Sequence, residues 1–261
     1  MKKTLTVALP AALFCCALNA AEPVFTPAQQ AAIGVIAAEY LKTHPEVLVE
    51  ASRQLQAQQQ ARQAARLTGA ALANRDALMN LKDVPVYGPA GSAVIVTEFF
   101  DYQCSACAAM APAMEAVMAV SPDVRFTFRD WTIFSGRWPA SGDAAVRGLD
   151  VWRQKGAAAY LAYHNGIYRT GHDEGRLTSE DIDSTARAAG AGPEDAARRP
   201  VSQLLTAVND ALAQQLGLTG TPGIVVMPVE GANADNTTVF PGVVSAEVLR
   251  AAIVRAGKPQ G

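Results

Sequence analysis

The segment AVIVTEFF, residues 93–100, is an almost unbroken apolar run of strand length. Cys104 and Cys107 follow it, where a helical pattern opens at Ser105. A run of that kind belongs to a strand covered on both faces, so the chain must supply layers above and below it. Val84-Pro85-Val86-Tyr87 reads as a short edge strand, and Gly88-Pro89-Ala90-Gly91 as a turn. Ser105–Val120 has helical texture and stops before Ser121-Pro122. VRFTFRDW (124–131) alternates as a strand, residues 139–216 read as helices separated by glycine turns near Gly171, Gly190 and Gly192, and GIVVMP (223–228) and TTVF (237–240) return to strand. Ser245 caps a last helix to about Ala256. This order predicts an α/β domain with a helical insertion.

The chain opens differently. Lys2 and Lys3 precede the short apolar run LTVALPAALFCCAL (5–18), which contains Pro10 and gives way to small residues. The run is too short to span a bilayer and has the layout of a secretory signal peptide, cleaved after Ala20 or Ala21. Its removal takes away Cys15 and Cys16 and leaves 20 basic against 24 acidic residues, a net charge of −4. Without a basic excess to neutralise phosphates, nucleic-acid binding is not expected.

Residues 22–83 read as a helical stalk. Thr26-Pro27 starts a first helix that breaks at His44-Pro45, and a second runs from about Glu46 to Lys82. Its middle, QLQAQQQARQAAR, offers few large apolar side chains, so it is exposed or pairs with copies of itself. The seam Leu48, Ala51 or Ser52, Leu55, Gln59 and Arg62 is roughly heptad-spaced but polar in its second half, so a flexible spacer is the alternative.

After signal removal Cys104 and Cys107 are the only cysteines. A bridge closing so small a loop removes little chain entropy, so the pair is there for its chemistry rather than as a staple. Two residues at i and i+3 share one face of a first helical turn, within bonding reach of each other. The unpaired N–H groups and dipole of a helix start favour the Cys104 thiolate, which makes it the nucleophile, with Cys107 as the resolving thiol. A zinc site would need further ligands, and His44, His164 and His172 are distant in sequence. Gly220-Thr221-Pro222-Gly223 leads into a strand and can offer its backbone to an extended substrate if it faces the cysteines. Glu98 interrupts the buried strand, where a carboxyl group titrates high unless the strand is an edge with Glu98 facing solvent. Tyr163-His164 reads as a packed pair, and Arg125, Arg129, Arg198 and Arg199 as solvated charges.

TEFFDYQCSAC, followed far downstream by GLTGTPGIVV, resembles the thioredoxin-fold disulfide oxidoreductases of the DsbA family. The resemblance implies a thioredoxin core over residues 84–135 and 217–257, with residues 136–216 as the inserted helical domain. It implies Cys104 as the attacking cysteine, Cys107 as its partner, Pro222 as the cis-proline, and Glu98 as the buried acid that helps proton transfer with Cys107. The redox-active Cys104–Cys107 disulfide would need no further cofactor. Ser105-Ala106 departs from the Pro-His dipeptide of the strongest oxidant in that family, which implies a less oxidising disulfide. Thr221 before the proline is similar to the isomerases and reductases of the superfamily.

EYLKTHPEVLVEASRQLQ resembles the N-terminal extension of the ScsC-like branch, whose members include trimers and which is linked to copper tolerance. The expected protein is therefore a periplasmic disulfide isomerase or general oxidoreductase, trimeric through its stalk. It would act on cysteine-containing exported proteins and be maintained by a membrane redox partner of the Dsb or Scs type. A monomeric dithiol oxidase, and a module that binds copper(I) through the two thiolates, are the rivals.

Overall fold

The computed structural model describes residues 24–258. The expected signal peptide, residues 1–21, lies outside the described residues. The chain divides into two compact units between Ala57 and Gln58. In the first, α1 (Pro27–Thr43) begins with a capping box in which Thr26 accepts the Gln29 N–H and the Gln29 side chain accepts the Thr26 N–H. It buries no residue, and Ile33, Ile36, Tyr40, Leu48 and Leu55 of this unit are exposed.

The helix expected from Glu46 to Lys82 is interrupted. It forms α2 (Glu46–Ala73) and α3 (Arg75–Met79), because the Asn74 side-chain amide donates to the Ala70 carbonyl and turns the chain. Leu67, Ala71 and Leu78 are fully buried, so the second unit starts upstream of the Val84 boundary read from the sequence.

The second unit is built on one five-stranded sheet. Its strands are β1 (Val86–Tyr87), β2 (Val94–Phe100), β3 (Arg125–Asp130), β4 (Gly223–Pro228) and β5 (Thr238–Phe240), in the spatial order β1-β3-β2-β4-β5. β2 and β3 are parallel and joined by α4 (Ser105–Ala119); the remaining pairs are antiparallel. The insertion consists of α5 (Ala140–Lys155), α6 (Ala157–Arg169), α7 (Ser179–Ala188) and α8 (Arg199–Gln215), and α9 (Ala246–Ala256) closes the unit. Every residue of β2 is buried, as its apolar continuity requires. Val94, Val96 and Phe100 pack with Cys107, Met110, Tyr160 and Leu249 on one face of the sheet. Ile95 and Phe99 pack with Leu67, Leu78, Leu212 and Leu216 on the other.

Arg129 overturns the expectation of a solvated charge. It is 2% exposed, and its guanidinium donates to the carbonyls of Ala77, Leu78 and Asn80 and to the Asn209 side chain. Those carbonyls close a helix end, where a cation is favoured, and burial lowers the Arg129 pKa to about 10. Arg199 is half exposed and paired with Asp143 and Glu194.

Candidate active site

Cys104 is the N-cap of α4, in an extended conformation, so its sulfur stands where the first N–H groups of the helix are unpaired. Cys107 lies one turn further in and is wholly buried. Both are free thiols. The Sγ of Cys104 donates to the Thr221 carbonyl at 3.3 Å, and the Thr221–Pro222 bond is cis. The fold thus brings Cys104, Cys107, Thr221 and Pro222 together at the ends of β2 and β4.

The two sulfurs differ sharply. A hydrogen bond from Cys107 pulls the Cys104 pKa down to about 6, against a burial effect that raises it. The Thr221 side chain and the N–H groups of Cys107 and Ala106 add to the lowering. The Thr221 hydroxyl is buried and unpartnered beside the thiol, placed to donate once the sulfur ionises. Cys107 is pushed well up, by burial first and then by its bond to Cys104. One sulfur is a ready nucleophile, and the other is held as a thiol until a base takes its proton.

Glu98 is buried in the central strand, not solvent-facing on an edge. Alternation puts it on the sheet face of Val96 and Phe100, the face that carries Cys107. Burial raises its pKa to about 8, and one carboxyl oxygen has no hydrogen-bond partner. Ala106 is half buried against the core below it, and Ser105 is exposed at the helix start. His164 is packed among Phe100, Tyr102, Phe128, Tyr160 and Tyr168, and burial lowers its pKa to about 3.

The family model of the DSBA-like thioredoxin domain matches residues 95–254, a span that contains the strand, both cysteines and the Thr221-Pro222 turn. The chain belongs to the DsbA-like thioredoxin family.

This DsbA-like chain also matches the family model of the copper resistance protein ScsC N-terminal domain, over residues 29–62. The crystal structure of Salmonella enterica Typhimurium BcfH is 37% identical, with a TM-score of 0.72, over 88% of this chain and 96% of that one. A thioredoxin-like oxidoreductase from Silicibacter pomeroyi DSS-3 is 31% identical, with a TM-score of 0.56, over 72% of this chain and 99% of that one. Proteus mirabilis ScsC in a transitional conformation, 24% identical over 89% of this chain and 98% of that one, shares the fold at a TM-score of 0.58. No curated protein matches the chain.

Three residues of the DsbA-like site carried no signal in the sequence. Asp101 is buried, and its carboxylate accepts the N–H groups of Gln103 and Phe134 and the Ser141 hydroxyl, which fixes the turn before Cys104. Asp130 is buried with both carboxyl oxygens unpartnered, and burial raises its pKa strongly. Glu174, in the loop after α6, accepts the Ser105 hydroxyl at 2.7 Å. Only the Asp in FDYQC lies close enough in sequence to the cysteines to have drawn notice.

Proposed function

We propose that the protein is a thiol–disulfide oxidoreductase whose reaction runs through Cys104 and Cys107, on cysteine-containing exported proteins in the periplasm. The observation that carries the reading is the asymmetry of the pair: Cys104 ionises at about 6 at a helix start and touches the Thr221 carbonyl, while Cys107 is buried and held protonated. In the reductive direction the Cys104 thiolate attacks a substrate disulfide, forming a mixed disulfide and expelling one substrate thiolate. Cys107, its proton passed to Glu98, then attacks Cys104 Sγ; the second substrate thiolate leaves, and Cys104–Cys107 is oxidised by the two electrons the substrate gains. Oxidation of a substrate is the reverse. Isomerisation stops after the first step, when a second substrate thiol displaces Cys104. The Thr221-Pro222 turn would present its backbone to the substrate segment beside the attacked sulfur.

Within that class we favour a disulfide isomerase or general oxidoreductase, trimeric through residues 24–57. The match to the ScsC N-terminal domain and the exposed apolar side chains of Ile33, Ile36, Tyr40, Leu48 and Leu55 support self-association. The cycle would then require a membrane redox partner to keep Cys104 reduced. Among the described residues no helix is long and apolar enough to cross a membrane.

Refolding of a scrambled disulfide substrate tests the reading. Rescue by the full chain, lost when residues 22–57 are removed, is expected. Fast oxidation of a reduced substrate by both forms would instead support the monomeric dithiol oxidase. Sedimentation of the intact chain as a monomer would reject the stalk assembly. Copper(I) binding by the two thiolates is a second reading, favoured by the copper-resistance family matched at residues 29–62. Competition with a copper(I) chelator under anaerobic conditions, in wild type and Cys104→Ser, decides it.

A further inference from the structure

The loop between α6 and α7 reaches back over the cysteine turn. Glu174 N–H donates to the Gln103 carbonyl at 3.1 Å, and Gly175 N–H to the Gln103 side-chain oxygen at 2.5 Å. Gln103, the residue before Cys104, is wholly buried, so the loop is docked on a fixed point. Glu174 itself has φ 49°, a left-handed conformation that a residue with a Cβ adopts at a cost of about 1 kcal/mol. Such an outlier persists when surrounding contacts hold it, and here they aim its carboxylate at the first residue of α4. Ser105 has one O–H, and it is given to Glu174, so it is not available to the Cys104 thiolate.

Other charges on this loop are spoken for. Asp173 pairs with Arg176 and His172 with Asp181, whereas Glu174 has no ion-pair partner among the described residues. Cys104 is otherwise faced by Cys107 from α4 and by Thr221, and the phenol of Tyr168 from α6 lies within electrostatic reach of both sulfurs and of Glu98 and Asp101. The carboxylate of Glu174 and the thiolate of Cys104 therefore share the positive end of one helix.

We propose that Glu174 is a positioning residue for the Cys104 reaction: by accepting the Ser105 hydroxyl it holds a negative charge beside the attacking sulfur and restrains its ionisation. The inserted helical domain thereby sets how oxidising the disulfide is, in the mild direction. This deepens the proposed thiol chemistry and rests on it. Removing the charge stabilises the thiolate, and with it the reduced protein, so the disulfide of the variant accepts electrons more readily.

The test is the pH dependence of iodoacetamide alkylation of Cys104 in the full chain, with the equilibrium against glutathione. Glu174→Gln keeps an acceptor for Ser105 and removes the charge. Its alkylation midpoint should fall by roughly half a pH unit, and its glutathione equilibrium should move about threefold toward the dithiol. The difference should shrink in about 1 M salt, where exposed charges are screened. Glu174→Asp keeps the charge and should stay near wild type. A midpoint unchanged in Glu174→Gln, or lowered as much in Glu174→Asp, would overturn the proposal while leaving the oxidoreductase reading intact. A wild-type midpoint in the ordinary cysteine range would sink both.

Discussion

The Cys104 sulfur and the Thr221 carbonyl, 117 residues apart in the chain, lie within a hydrogen bond of 3.3 Å. That contact sets the Cys104 sulfur against the turn that carries the cis Thr221–Pro222 bond.

With a pKa of about 6, Cys104 is mostly ionised at neutral pH and protonated below about 6. Its alkylation rate should rise through a midpoint near 6 and then level off, while Cys107 should react far more slowly across that range. Cys104→Ser should abolish exchange with a peptide disulfide, and Cys107→Ser should trap the mixed disulfide, visible by mass spectrometry.

Glu98 titrates at about 8 in the fold against 4.5 when exposed. A raised carboxyl pKa means stability that is full below pH 4.5 and is lost as pH climbs toward 8. Glu98→Gln should flatten that slope and gain a few kcal/mol at pH 8 by urea denaturation. The same variant should slow the Cys107 step by roughly tenfold to a hundredfold, read by stopped flow, because in the proposed cycle Glu98 takes the Cys107 proton.

Arg129→Ala leaves the carbonyls of Ala77, Leu78 and Asn80 and the Asn209 side chain without their shared donor. A loss of about 3 kcal/mol in unfolding free energy is expected. Arg129→Lys should recover only part of it, since one ammonium cannot reach four acceptors arranged around a planar fork.

Gly175 has φ 92°, and a Cβ there would meet Trp138 Nε1 at 2.6 Å. Gly175→Ala should cost about 1–3 kcal/mol and loosen the loop that grips Gln103. Faster hydrogen exchange at the amides of residues 172–176 would report it.

Much of the fold could be read directly. The apolar run ending at Phe100, the Cys104 helix start, the β4 strand and the caps at Thr26 and Ser245 are local patterns, and each formed where the pattern lay. The break at Asn74 was not legible, since a single side-chain bond to Ala70 competed with helical continuity. Arg129 looked like any charge on an alternating strand, and only the neighbouring helix end supplied the acceptors that bury it.

The amino-acid order alone thus determined which segments become strands and helices, and that two thiols stand one turn apart at a helix start, because periodicity and end effects act within a few residues. Tertiary packing decided the remainder: that Thr221 meets one sulfur, that Glu98 is sealed away, and that Glu174 reaches Ser105 from the insertion. Solvent exclusion and charge proximity depend on which layers close over one another, and no local pattern encodes that.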